Sequence, residues 1–365
     1  MLNNLLFKFY NIQNFLFPIL EETLELSDKH REFVRVIELM PTEGVFARYG
    51  WCGNGCKPAD RERIFRGFVA KAVFNIPNTS DLILRLKVDK TLRALCGYDG
   101  IGEIPSESTF SRAFADFARD GIAQGVHAAM IANTVKDKLF GHASMDATAV
   151  DGREKPAAKP KKQDAPKAKK KKGRRKKGEP VSPPDPKRIA LQPTRSLEDN
   201  IKELPSQCDV GAKRNSKGHT THWIGFKLHL GVVDGDIPVA AILTSASVHD
   251  SQVAIPLMQM TSMRLNTLYD LMDSAYDAQG IHDFSRDLGH VPIIDPNVRR
   301  GEKIALAPAK QKRYAQRSAA ERANSALKDS YGARFVRVRG AAKVMAHLMF
   351  GVIALTAVQV VRMLC

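Results

Sequence analysis

Between Tyr314 and Lys328 the chain reads YAQRSAAERANSALK. It carries a phenol, a guanidinium, a carboxylate and an ammonium at Tyr314, Arg317, Glu321 and Lys328. At about 100° per residue these offsets fall within roughly a 60° stripe of one helix face. Ala315, Ala319, Ala320, Ala323, Ala326 and Leu327 around them are good helix formers. Such a stripe suits a charged partner. The plain alternative is a solvated face on which Arg317 and Glu321 make an ordinary i,i+4 pair. The stretch alone does not choose between them.

The elements around it narrow the choice. Residues 26–135 read as helical: the run 26–40, then 60–74 opening with Asp60 and Glu62 after Pro58, then 81–88, 90–96, and a helix opened by Pro105 and Ser106. The short helices before Ser106 and the Ser, Thr and Arg112 after it allow a helix-turn-helix or an ordinary bundle. From residue 140 the pattern changes. Residues 143–150, ASMDATAV, read as a strand. The runs 223–233 and 237–246 flank Asp234-Gly235-Asp236 and read as a hairpin. A helix at 250–261, a strand at 268–272, a helix at 281–288, a strand at 291–295 and the helix through Glu321 follow. The order is that of an RNase H-like α/β domain. It predicts a mixed five-stranded sheet flanked by helices, preceded by an all-helical N-terminal domain. The domains expected are 1–135, helical and a candidate for DNA binding; 140–152 with 187–365, the α/β domain; and 153–186, a disordered basic insert.

In that topology Asp146 lies on the first strand and Asp273 ends its neighbour, while the final helix brings Glu321 over the sheet. Each Asp taken alone merely ends or interrupts a strand. Three converging carboxylates repel one another unless cations bind between them. Hard oxygen ligands suit Mg²⁺ or Mn²⁺. Two such ions about 3.5–4 Å apart activate a water or a 3′-hydroxyl in phosphoryl transfer.

Composition supports a polyanionic partner. The chain of 365 residues carries a net charge of +17. The charge is concentrated: residues 153–178 hold 14 Lys and Arg against Glu154 and Asp164, which leaves only about +5 elsewhere. That segment is rich in Lys, Pro and Ala and cannot bury a core. Its densest part, with Lys169, Lys170, Lys171, Lys172, Arg174, Arg175, Lys176 and Lys177, would bind phosphates without sequence preference. The five cysteines are scattered and odd in number, which argues for a reducing compartment and against a disulfide framework. Cys52 and Cys56 form half of a zinc pattern that nothing completes. The apolar N-terminus reads as an amphipathic or docking segment, and residues 344–364 as a buried helix in preference to a membrane span. Asp250 reads as a helix N-cap before a fourth acid, and Trp223 as a core residue before a base-stacking one.

Residues 143–360 resemble the catalytic domain of DDE insertion-sequence transposases. Tyr314-x2-Arg317-x3-Glu321-x6-Lys328 matches the Y-R-E-K signature of one group at every spacing. Asp273-Ser274-Ala275-Tyr276 is similar to that group's second-aspartate motif, with Ala275 where Gly is commoner. WIGFKLH at 223–229, followed by Val248-His249-Asp250-Ser251, is similar to the family's hairpin and next helix, and residues 60–114 to its preceding helical region. The resemblance implies Asp146, Asp273 and Glu321 as a triad holding two Mg²⁺ or Mn²⁺ ions. It implies that Arg317 and Lys328 grip transposon-end DNA and that Tyr314 touches a phosphate near the cut. It further implies double-stranded DNA ends and target as partners, a homodimer in the synaptic complex, no membrane, and a cytoplasmic, nucleoid-associated protein. The rival expectations are a hydrolytic nuclease of the same fold and a non-catalytic transposase-derived DNA-binding protein.

Overall fold

The computed structural model describes residues 24–158, 187–214, 218–297 and 305–364. The N-terminal segment expected to be amphipathic and the eight basic residues of 169–177 lie outside the described residues.

Local signals start the helices where the sequence predicts. The Ser27 side chain caps α1 (Asp28–Leu39). Asp60 accepts from the Glu62 and Arg63 amides and starts α2 (Arg61–Val73). Asn78 caps α3 (Thr79–Val88), Asp89 caps α4 (Lys90–Leu95), and Ser106 caps α5 (Glu107–Arg119). α6 (Ile122–Thr134) follows a left-handed Gly121. One residue separates α3 from α4, while residues 96–106 separate α4 from α5. Neither joint is the three- or four-residue turn of a helix-turn-helix.

The sheet begins with β1 (Leu139–Asp151). Two short helices, α7 (Arg188–Leu191) and α8 (Leu197–Glu203), precede β2 (Asp209–Arg214), β3 (Thr220–Val233) and β4 (Ile237–Ser245). Then come α9 (Ala254–Ser262), β5 (Asn266–Met272), α10 (Gln279–Asp287) and β6 (Val291–Ile294). The strand order is β2-β3-β1-β5-β6, with β4 also on β3. β1 pairs antiparallel with β3 and parallel with β5, so the sheet is mixed. It has six strands where five were expected. The extra one, β2, is a short and largely polar edge strand whose composition gives little strand signal. It shares one edge of the long β3 with β4: residues 220–225 pair with β2 and 226–233 with β4. Gly225, φ +154°, sits where these regions meet. A Cβ there would lie 2.1 Å from the Val150 carbonyl oxygen.

α9 and α10 cover one face, packing Val253, Leu257, Ile281 and Phe284 with Met145 and Met272. α11 (Pro308–Tyr314), α12 (Ser318–Ser330) and α13 (Ala341–Leu364) complete the chain. The buried residues of α12 and α13 join those of α1–α6 and of the sheet in one continuous core. α13 is its axis: the Phe350 ring lies 5.0 Å from Phe65 and 5.5 Å from Phe68. α13 is long and apolar enough to cross a membrane, with mean hydropathy 2.1, but 78% of its most apolar window is buried inside the protein.

Candidate active site

The β1/β5 register positions the two aspartates. Met145 stands opposite Met272 in the parallel pair. The next residue on each strand is Asp146 and Asp273, so both carboxyls emerge together at the C-terminal end of β5. Asp273 Oδ1 also accepts from the Ala275 amide at 2.9 Å, which caps the 3₁₀ turn Ser274–Tyr276 and ends the strand. Burial pushes Asp146 up to about 6, and the Asp273 charge adds to it, against a backbone hydrogen bond at Ala147, the Asn324 amide and Arg317. Burial also raises Asp273, with Asp250 contributing.

Glu321 is on the first turn of α12 and turned outward. Its Oε1 accepts from Arg317 Nη2 at 2.7 Å, and its side chain is 52% exposed. The structure therefore gathers Asp146 and Asp273, with Arg317 between them and Glu321. Among the described residues no three His, Cys, Asp or Glu side chains are grouped to hold a metal ion. The residue facing Asp146 from α12 is instead Asn324, whose Nδ2 donates to Asp146 Oδ2 at 3.0 Å.

The segment 314–328 is not one helix. α11 ends at Tyr314, a 3₁₀ turn spans Ala315–Arg317, and α12 starts at Ser318. In a 3₁₀ turn residues i and i+3 eclipse, and the Arg317 guanidinium accordingly lies over the Tyr314 ring, 5.6 Å from its centroid. Ser144 Oγ donates to the Gln316 carbonyl at 3.3 Å, tying the turn to β1 beside Asp146. Lys328, half-buried, has no ion pair or hydrogen bond among the described residues. Burial lowers its pKa, partly offset by Asp151.

Three further residues support the site. Arg322 makes a two-pronged pair with Asp236, at 2.7 and 2.6 Å, and so docks α12 on the β3–β4 turn. Lys227 Nζ lies 2.9 Å from Asp250 Oδ1, so Asp250 is a paired acid. Asp250 is not the cap expected of it: His249 caps the 3₁₀ turn Asp250–Gln252. Asn324 was legible at Glu321+3 by the spacing that found Arg317; Arg322 and Lys227 carry no local signal. Trp223 is half-buried on the added β2–β3 edge, not in the core: a Cβ on Gly211 would lie 2.4 Å from its ring. Cys52 and Cys56 are exposed free thiols.

The acids fit hard cations. Two ionisable oxygens are crowded together at raised pKa, and beside them the buried Tyr276 Oη and Asn324 Oδ1 have no hydrogen-bond partner among the described residues. Burial, then Asp250, Asp146 and Asp273, hold the Tyr276 hydroxyl well above its usual pKa.

Two family models match this chain. The Transposase DDE domain matches residues 185–357, and the Transposase domain (DUF772) matches residues 18–116. The first match begins at the very end of the insert and so excludes β1 and Asp146, while including Asp273 and the whole 314–328 segment. No curated protein and no solved structure matches the chain. With both the helical region and most of the sheet domain matched, this chain belongs to the DDE transposases of insertion sequences.

Proposed function

We propose that this transposase cleaves the ends of its element and joins them to target DNA, with Asp146, Asp273 and Glu321 as its metal-binding carboxylates. The observation that carries the reading is the adjacency of Asp146, within β1, and Asp273, just past the end of its parallel neighbour β5, both with raised pKa. Magnesium or manganese ions, two by the chemistry of the reaction, would activate water or a 3′-hydroxyl and stabilise the leaving oxygen when bound. The chain's own residues do the rest. Asp146 and Asp273 ionise and turn their oxygens to one point. Glu321 leaves Arg317 to complete the set, and the freed guanidinium takes a DNA phosphate in the bidentate manner that suits it. Tyr314, under Arg317, lies on the same rim. Lys328, seven residues beyond Glu321, adds an ammonium about 10 Å further along the helix. The basic segment 153–186 would hold duplex DNA non-specifically, and joining two ends calls for a homodimer on DNA in the cytoplasm.

The test is metal-dependent nicking and joining of a duplex carrying the element end. Asp146→Asn, Asp273→Asn and Glu321→Gln should each abolish cutting and leave end binding largely intact. Any one of them cutting at the wild-type rate removes that residue from the assignment. Cutting without a strand-transfer product would make the chain a nuclease of the same fold, and binding without cutting a non-catalytic DNA-binding protein.

A further inference from the structure

Away from the carboxylates, a cavity of about 450 Å³ opens at the seam between α2, α5, α13 and the loop 331–340. Five cations line it: Lys71, Arg153, Arg337, Arg339 and Lys343. The one carboxylate in the lining, Glu107, makes no ion pair with any of them among the described residues. Phe68, Phe114 and Phe350 form an apolar floor.

Lys71 is the telling member. It is only 8% exposed, on a helix packed in the core, yet it has no ion pair and no hydrogen bond among the described residues. A buried, unpaired ammonium is costly and is ordinarily neutralised or paired. Burial and the Arg337 charge hold its pKa down at about 8, against the Asp81 charge, which raises it. Arg153, Arg337, Arg339 and Lys343 make no ion pair among the described residues. Arg339 Nε donates to the Arg153 carbonyl at 3.1 Å, and the Gly340 amide donates to Glu154 Oε1 at 3.1 Å.

We propose that this cavity is an anion site that takes a phosphate group, with Lys71 as its buried ligand and Arg337 and Lys343 at its mouth. The source favoured by the surroundings is a DNA backbone phosphodiester, an assignment that rests on the transposase reading above. Arg153 is both part of the lining and the first residue of the basic insert, so the 14 cations of 153–178 begin at the cavity. Lys328 stands near enough to Arg334, in the loop that forms one wall, for their like charges to repel, which puts the C-terminal end of α12 on the same side as the cavity. DNA leaving the carboxylates along Lys328 would thus meet a second hold at the helical region.

The experiment uses the full chain. Thermal melting is followed in sodium phosphate and in sodium chloride at matched ionic strength, with and without a short duplex. Phosphate at millimolar concentration should raise Tm beyond chloride, and duplex should compete for the same site. Lys71→Met should fold with a Tm at least equal to wild type without phosphate, because it removes an unpaired buried charge. It should bind phosphate about tenfold or more weakly, as expected for loss of one charge-assisted contact. Arg337→Ala, at an exposed position, should weaken phosphate binding without a folding cost. A phosphate effect absent from wild type, or undiminished in both variants, overturns the site. Phosphate binding that duplex cannot displace overturns the DNA assignment and points to a free phosphate ligand. Nicking by the wild-type chain is scored in the same preparation. Its absence counts against the catalytic reading, whereas a phosphate effect that survives both substitutions counts against this cavity alone.

Discussion

Arg317 Nη2 stands 2.7 Å from Glu321 Oε1 and holds that carboxylate apart from Asp146 and Asp273. The same guanidinium lies over Tyr314 and acts electrostatically on both aspartates. One cation therefore acts on all three acids at once. In the function proposed, it turns to a DNA phosphate when Glu321 releases it.

Replacing Arg317 with Ala separates these roles. Glu321 is freed and a positive charge leaves the site, so Mn²⁺ should bind several-fold more tightly to the DNA-free protein at pH 8. Cleavage should nevertheless fall on the order of 100-fold, the usual scale for losing a positioned donor to a developing charge. Calorimetric Mn²⁺ titration and nicking rates measured on the same preparation decide it. Weaker metal binding in the variant would mean that Arg317 orients Glu321 and does not restrain it.

Asp146 links the site to stability through its raised pKa. Between its ordinary value of 3.8 and about 6, the folded chain holds a proton that the unfolded chain has released. Stability without metal should therefore fall as pH rises through that window and level off above it. At about 1.4 kcal/mol per pKa unit the full cost is on the order of 2–3 kcal/mol. Asp146→Asn removes it, and the new amide oxygen can still accept from Asn324. The variant should be more stable than wild type at pH 8 by about 1–3 kcal/mol and nearly equal at pH 4. Urea unfolding at both pH values checks this; a variant destabilised at pH 8 would refute it. Divalent metal should reverse the order, stabilising wild type alone, and its affinity should weaken as pH drops below about 6 as protons compete.

These two residues also mark what could be read without coordinates. The positions of Asp146 and Asp273 were legible because the first falls within a short, partly alternating run and the second ends a short apolar one, and the expected strand order makes those runs neighbours. Asp60 and Ser106 announced their helices through capping, and Asp234-Gly235 its hairpin. β2 was not legible: a polar edge strand owes its existence to the free edge of β3. The break at 315–317 was hidden because its residues keep right-handed helical dihedrals and differ only in hydrogen-bond register. The outward turn of Glu321 goes with its pairing to Arg317 and with the like charge of the aspartates, a matter of three-dimensional charge that spacing cannot express. The cation-lined cavity draws on positions 71, 153, 337, 339 and 343, which no local pattern connects.

The glycines of β3 offer a paired test of how tightly β1 is held. At Gly225 a Cβ would lie 2.1 Å from the Val150 carbonyl oxygen and 2.4 Å from the Gly152 nitrogen, both backbone atoms, and φ is +154°. At Gly231 the nearest atom is Thr261 Oγ1 at 2.9 Å, a side-chain atom that would have to shift from its hydrogen bond to the Leu257 carbonyl. Gly225→Ala should cost about 3 kcal/mol or fail to fold, and Gly231→Ala about 1 kcal/mol. Equal losses in thermal unfolding would show that the β1–β3 crossing yields more readily than its contacts imply.

The docking of α12 should be separable from the chemistry it carries. Arg322 touches none of the three carboxylates proposed to bind metal, yet its pair with Asp236 joins α12 to the β3–β4 turn next to Glu321. The guanidinium is 54% exposed, so the pair should contribute no more than about 1 kcal/mol to stability. Its effect on the reaction should be larger, because a helix that shifts slightly misplaces Glu321, Asn324 and Lys328 together. Arg322→Ala should therefore reduce the rate of nicking at saturating DNA about tenfold or more, with little change in end affinity. Lys at 322 should restore part of that rate through a single contact. A rate unchanged beside a 1 kcal/mol loss in stability would reduce Arg322 to a surface ion pair and leave α12 positioned by its buried alanines, Ala319, Ala320 and Ala323.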